Sequence, residues 1–241
     1  MGKVVIIGGG IVGLCSAYYL HQSGWEVTLL DKGDMTDSCS YGNAGMIVPS
    51  HFVPLAAPGV IKQGIKWLAN AKGPLQIRPS LSLDWLRWGI KFMSYANEKN
   101  VRCAAVPLRD ISLLSKSLLE KMDAHLDLGV GHKGIMMLSK TEHSAEEEYK
   151  QAEEATRLGL YVAILSKEET VALQGGLKMN IVGAVHYRCD AHLQPGILMK
   201  KLIQYLKEVG VRIVHNFEVE KIHKVGNKVV SVHAKNGNEF R

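Results

Sequence analysis

The first thirteen residues constrain this chain more than any other stretch. Val4-Val5-Ile6-Ile7 is an unbroken apolar run that enters Gly8-Gly9-Gly10-Ile11-Val12-Gly13. Such a run suits a strand buried on both faces, as parallel strands are. A helical pattern follows from about Ile11 to Ser23, with Ile11, Leu14, Ala17 and Tyr18 on one side and Gly24 as its stop. Trp25 to Leu30 reads as a second strand, ending at Asp31. Strand, crossover helix and strand form a βαβ unit. GxGxxG spacing alone is a weak signal. Between a strand and a helix, with an acid 23 residues after Gly8, it specifies a dinucleotide-binding turn. Gly8 permits the tight turn, Gly10 admits a pyrophosphate to the backbone, and Gly13 lets the helix lie against the strand. The helix N-terminus, at Ile11 and Val12, offers free N–H groups and partial positive charge. Asp31, followed by Lys32, is placed to accept from a ribose 2′-OH and to repel a 2′-phosphate.

A second GxGxxG match, Gly129 to Gly134, follows a helical segment and precedes a strand. That is the reverse of the required order, and it reads as a helix end and turn. Between the two, residues 33–59 are loop-like and 60–130 read as helices separated by breakers, the clearest at about Leu108 to Leu128. Further on, Gly134 to Ser139 and Ile181 to Tyr187 read as strands, and the Glu-rich 145–158 as an exposed helix. Pro195 opens a helix running to about Val209, followed by a strand at Val211 to His215. Phe217 to His223 and Lys228 to Ala234 alternate across Val225-Gly226-Asn227, a hairpin signal.

Apolar residues at 46% and charged residues at 22% exclude a disordered chain. No apolar run approaches the ~18 residues of a membrane span, and no signal peptide is read at Met1 to Gly10. Four scattered cysteines without a CxxC point to reduced thiols and a cytoplasmic setting. The net charge of +6 is uneven: residues 61–140 hold 13 basic against 6 acidic side chains, and 141–170 hold 3 against 8. No nucleic-acid motif accompanies the basic stretch, so a nucleic-acid partner is not expected.

Three segments resemble the FAD-dependent amine and amino-acid oxidoreductases, the superfamily of D-amino acid oxidase, glycine oxidase and sarcosine oxidase. Its D-amino acid dehydrogenases are the members this chain resembles most. The first segment is Gly8 to Asp31. The second is Ser38 to Met46 with Pro49-Ser50-His51, similar to the loop that passes the FAD pyrophosphate and reaches the flavin ring. The third is Val182 to Tyr187, Asp190 to Pro195 and the run to Phe217-Glu218-Val219, where the family touches adenine through a Val main chain. The resemblance implies an α/β fold: a Rossmann-like FAD-binding domain of glutathione-reductase type, residues 1–55 and 190–241, with an inserted α+β substrate domain, 56–189. It implies FAD as cofactor and Ser38, Ser40, Asn43, Ala44, Gly45, Met46 and Val219 as cofactor-side residues, beside Gly8, Gly10, Ile11, Val12, Gly13, Asp31 and Lys32. Read directly, Gly42, Ala44 and Gly45 let backbone lie flat against a ring, and the short polar side chains suit phosphate or flavin edges.

The activity so implied belongs to amino-acid catabolism. It is oxidation of the Cα–N bond of a D-amino acid, with hydride passing to flavin N5 and the imine hydrolysing to a 2-oxo acid and ammonia. An oxygen-using glycine or sarcosine type of oxidase, and a flavin-binding subunit without turnover of its own, stay open. A quinone is a candidate acceptor, and peripheral contact with the inner face of a membrane and a partner subunit are further candidates. The family's chains are longer, so its carboxylate-binding Arg and flavin-edge donors are expected beyond Arg241. No catalytic residue is assigned. Substrate-side candidates are His51, Tyr187 and Arg188. His186, Cys189, Asp190 and His192 are close in sequence, but strand alternation separates them and no metal is expected. Trp67, Trp85 and Trp88, beside Lys66, Arg87 and Lys91, are expected to pack in helices, with an amphipathic surface as the alternative.

Overall fold

A computed structural model of the chain describes residues 2–59 and 82–240, so Lys66 and Trp67 lie outside the described residues. The chain forms two compact units: 1–46, 120–130 and 193–241 in the first, and 47–119 with 131–192 in the second.

The first unit carries the βαβ element. Strand β1 (Lys3–Ile7), helix α1 (Ile11–Gln22) and strand β2 (Glu26–Leu30) follow the expected order, and β1 pairs in parallel with β2 from Lys3↔Glu26 to Ile7↔Leu30. Strand β8 (Arg212–Val214) joins the other side of β2, giving the order β1-β2-β8. Helix α6 (Pro195–Glu208) feeds β8 and buries Leu198, Met199, Leu202 and Leu206. It meets α1 through Tyr18 and Tyr205, whose ring centroids lie 5.3 Å apart. Strands β9 (Val219–Val225), β10 (Lys228–Ala234) and β11 (Glu239–Phe240) form an antiparallel sheet, and two-residue strands lie at β3 (Met46–Ile47) and β7 (Ala191–His192). Val232 and Ala234 close a core with Leu30 and Phe217, beside Val5 and Val214. The β9–β10 hairpin turns at Gly226, whose φ of +60° favours glycine.

The second unit is built on an antiparallel sheet in the order β4-β6-β5: β4 (Ile135–Ser139), β5 (Val162–Ser166) and the central β6 (Gly183–Tyr187). Helix α4 (Glu142–Arg157) packs on it, and a core joins Phe52, Ala105, Ala152, Ala155, Leu160, Val185 and Tyr187. Glu-rich 142–157 is therefore not an exposed helix throughout. Its alanine stripe at Ala145, Ala152 and Ala155 is fully covered, because small side chains let a helix lie close to a sheet even when its other face is charged.

Two further differences from the sequence reading have physical causes. The long helix begins at Glu98 rather than Leu108, following the shorter helix α2 (Leu83–Tyr95). This helix, α3 (Glu98–Leu126), runs through Pro107. Proline removes the bond to the carbonyl four residues earlier. That carbonyl belongs to Cys103, an exposed residue, so water can take the lost donor's place. Strand β5 and helix α5 (Lys167–Leu173) were not expected. Their signals are the apolar run Val162-Ala163-Ile164-Leu165 and a capping box, in which Ser166 Oγ accepts from Glu169 N and Glu169 Oε2 accepts from Ser166 N. The second glycine match leads from α3 into β4 as expected, with Gly129 and Gly134 both at φ +73°.

Candidate functional site

The turn between β1 and α1 distinguishes its glycines by cause. Gly8 has φ +103°, a conformation that costs other residues strain. A Cβ on Gly13 would strike the carbonyl oxygen of Gly8, so the helix can approach the strand only with glycine there. Neither reason applies to Gly10. Its φ is −72°, and a Cβ there would meet only Ser40 Oγ, at an ordinary 3.4 Å. Among the described residues, nothing requires glycine at position 10. A small residue there leaves open space directly above the helix N-terminus.

That N-terminus is prepared for an anion. Helix α1 has no side-chain cap at Gly10 and no acidic residue in its first turn. The N–H groups of Val12 and Gly13 precede the first i→i−4 bond, which runs from Leu14 N to Gly10 O at 3.0 Å. Such groups attract phosphate oxygens. Ser40 Oγ accepts from Ile11 N at 3.0 Å, which ties the 38–46 loop to the helix start. Within the loop, Asn43 Nδ2 donates to Ser40 O at 2.8 Å and Asn43 Oδ1 accepts from Gly45 N at 2.8 Å. Asn43, Ala44 and Met46 are exposed, and Ser38 Oγ is buried without a partner among the described residues. A bound dinucleotide would supply polar atoms and cover this surface, so the residues fit such a cofactor.

Asp31 directly follows β2 and braces the same turn. Its Oδ2 accepts from Gly9 N at 2.6 Å and its Oδ1 from Gly33 N at 2.8 Å. Each oxygen retains accepting capacity for a ribose hydroxyl. Lys32 beside it is exposed, and Val219 starts β9 half-buried. Asp31→Ala removes the acceptor and loosens the glycine turn. FAD dissociation constants measured by fluorescence titration are expected to rise roughly 10- to 150-fold, the equivalent of about 1.5–3 kcal/mol for a bond to a charged group. A change below about twofold would show that the carboxylate serves the turn alone.

In the second unit, His51 and Tyr187 come together and Arg188 does not join them. A cavity of about 230 Å³ is lined by Ser50, His51, Val53, Ile135, Met137, Glu148, Gln151 and Tyr187. Tyr187 donates its phenolic hydrogen to Glu148 Oε1 at 2.7 Å; burial, and then this carboxylate, push the phenol well above its ordinary range. Arg188 instead donates to Tyr161 Oη at 2.7 Å and lies over that ring at 5.2 Å. Glu148 was missed by sequence reading, because a single glutamate among six acids between 142 and 154 carries no positional signal.

Asp190, also unassigned by sequence, is wholly buried. It accepts from Ser50 N at 3.0 Å and from Ser50 Oγ at 2.7 Å, pinning the 48–51 turn to the end of β6 across 140 residues of sequence. Cys189 Sγ lies 3.5 Å from the same carboxylate, and burial followed by that charge pushes its thiol up to about 12. Burial and the neighbouring carboxylate thus favour the protonated thiol over the nucleophilic thiolate. His186 Nε2 sits 2.8 Å from Lys133 O. Among the described residues, no three His, Cys, Asp or Glu side chains are grouped to hold a metal ion.

Comparison with known proteins fits this geometry. The family described as FAD dependent oxidoreductase matches residues 3–241. D-amino acid dehydrogenase of Helicobacter pylori is 34% identical over 218 residues, covering 90% of this chain and 52% of that protein. The Vibrio atlanticus enzyme of the same name is 26% identical over 245 residues, covering 99% and 58%. The chain thus spans about half the length of the curated relatives it matches. Among solved structures, glycine oxidase from Geobacillus kaustophilus has a TM-score of 0.66 at 19% identity, covering 100% of this chain and 53% of that one. L-proline dehydrogenase from P. horikoshii gives 0.63 at 18%, covering 98% and 50%. Agreement between the glycine turn, the sheet order and the family match over nearly every residue establishes that the chain belongs to the FAD dependent oxidoreductase family.

Proposed function

We propose that the protein is the FAD-binding and substrate-side portion of a dehydrogenase that oxidises the Cα–N bond of a D-amino acid. The observation that carries the cofactor half of this reading is Gly10, a glycine demanded by neither its φ nor its neighbours, at an uncapped helix N-terminus. Identity of 34% to a D-amino acid dehydrogenase supports the substrate half.

Bound FAD supplies the chemistry, accepting the hydride released from the substrate Cα. The protein's task is to hold and orient. In this reading the first unit carries the cofactor. Val12 and Gly13 N–H groups meet the pyrophosphate, Asp31 accepts from the adenosine ribose, and Ser38, Ser40, Asn43, Ala44, Gly45 and Met46 run beside it, with Val219 toward the adenine. The second unit serves the substrate. His51 from the 48–51 turn, Tyr187 at the end of β6 and Glu148 on α4 form a polar-edged pocket wall, a setting that suits positioning an amino acid for transfer. Arg188, tied to Tyr161, is the weaker substrate candidate.

The test is an anaerobic bleaching screen of the flavin-loaded holoprotein with D- and L-amino acids, glycine, sarcosine and proline. D-amino acids are expected to bleach the flavin absorbance, with the electrons then passing to a quinone or dye. Steady hydrogen peroxide formation in air would favour an oxidase instead. A flavin that no amine reduces would leave only cofactor binding to this chain.

A further inference from the structure

Helix α2 buries none of its residues and leaves Trp85 and Trp88 37% and 52% exposed, so the packing expected for them in a helical core is not found among the described residues. Charge and apolar surface meet in a concave place in the first unit instead. There the turn that follows β2, helix α6 and the end of β8 line a cleft of about 420 Å³, a volume within the range of small-molecule sites. Lys200, Ile203 and Lys207 stand at i, i+3 and i+7 on α6, so they share one face of that helix. Met35 and Tyr41 of the turn, and His215 just past β8, line the cleft with them. None of these is among the cofactor-side residues named above.

The walls are held in place. Asn216 N donates to Gly33 O at 3.1 Å and Phe217 N to Asp31 O at 2.8 Å, which ties the turn to the end of β8. Met35 is 2% exposed and has φ +67°, a left-handed conformation that strains a methionine and persists only where the surroundings impose it. His215 Nδ1 is shielded from solvent and has no hydrogen-bond partner among the described residues. A ring nitrogen so placed has bonding capacity left for a polar atom.

The charges that line the cleft are not equally satisfied. Asp34 Oδ1 accepts from Thr36 N at 2.9 Å and from Thr36 Oγ1 at 2.6 Å, bonds that hold its carboxyl below the usual range. Glu208 Oε1 accepts from Gln204 Nε2 at 2.8 Å. Lys201, next along α6, pairs with Asp127 at 3.3 Å, whereas Lys200 and Lys207 make no ion pair among the described residues. The unmet charges are therefore cationic, and what they call for is an anion. The two lysines are about 10 Å apart along the helix axis, close enough for their long side chains to converge. A monoanion suits the cleft better than a phosphate dianion, whose second charge would face Asp34 and Glu208. Met35, Ile203 and the Tyr41 ring offer an apolar surface that inorganic phosphate cannot cover. We propose that the cleft binds a small organic carboxylate with an apolar body, its charge between Lys200 and Lys207 and its body against Met35, Ile203 and Tyr41. The site lies wholly within the first unit and is independent of the substrate assigned above.

The probe is 4-phenylbutyrate, titrated into the flavin-loaded holoprotein and followed by calorimetry and saturation-transfer NMR. Saturable binding is expected. 4-Phenylbutan-1-ol, the same body without the charge, and inorganic phosphate, the charge without the body, should each bind at least about tenfold more weakly. Lys200→Gln with Lys207→Gln should weaken 4-phenylbutyrate binding about tenfold, and Ile203→Glu, which sets a carboxylate against the ligand's body, should abolish it. Flavin content and thermal unfolding should be unchanged in both variants. Absence of saturable binding, equal binding of the alcohol, or tighter binding of AMP than of 4-phenylbutyrate would each overturn the proposal. So would unaltered binding by the double lysine variant, which would place the acid elsewhere, or loss of FAD from that variant, which would give the cleft to the cofactor.

Discussion

Gly13→Ala is expected to destabilise the first unit by about 3 kcal/mol, the upper end of the usual overpacking range. One added methyl would meet the Gly8 carbonyl oxygen, a backbone atom that cannot rotate away as the end of a side chain could. To relieve the clash, α1 must move off β1 or the turn must open. Either change displaces the Val12 and Gly13 N–H groups and the Gly9 N to Asp31 bond of 2.6 Å. The midpoint of urea unfolding should therefore fall, and the purified protein should lose its bound FAD. Gly10→Ala is the informative partner. Its methyl has room in the protein alone, so the apoprotein should unfold near the original midpoint while FAD binding is lost. Equal destabilisation by both substitutions would mean that Gly10 is a structural glycine too, and would remove the main support for the phosphate position.

This contrast marks what sequence could and could not reveal. The βαβ unit was legible because its signals are local: a strand run, three spaced glycines, an apolar helix face and a terminal acid within 31 residues. The hairpin around Gly226 and the helix opened by Pro195 were legible for the same reason. Helix α4 was found but its environment was misread, since glutamates dominate its composition and the covering of Ala145, Ala152 and Ala155 depends on a sheet assembled from distant segments. The long helix was expected from about Leu108, yet it starts at Glu98 and continues through Pro107, because the flanking turns outweigh one missing hydrogen bond on an exposed face. In the candidate site the division is similar. Asp31 and Ser40 could be named from spacing and resemblance. Glu148 and Asp190 acquire their roles only when β6, α4 and the 48–51 turn meet, over separations of 39 and 140 residues.

Asp190→Ala should have a comparably large effect on the second unit, for a different reason. The carboxylate is fully buried, and both of its oxygens serve the Ser50 turn. Removing it leaves the Ser50 N–H and hydroxyl, in a half-buried turn, without their acceptors. A lost bond to a charged group costs about 1.5–3 kcal/mol, and an unsatisfied buried donor adds about 1–3. Relaxation of the turn recovers part of this, so a net loss near 3 kcal/mol is expected. Asp190→Asn keeps the shape and one acceptor, and should lose about half as much. Ser50→Ala removes one donor while keeping the backbone bond, so it should be milder still. A double-mutant cycle between Ser50→Ala and Asp190→Asn should give a coupling of about 1 kcal/mol, since the two changes break one shared bond. Because His51 follows Ser50 directly and lines the cavity with Tyr187, the turn's position also governs that wall. On the proposed function, the Asn variant of the holoprotein is therefore expected to raise the amine concentration needed for half-maximal bleaching while its FAD content stays constant. Full retention of stability by Asp190→Ala would mean that the turn hydrates freely, and the buried acid would then need another explanation.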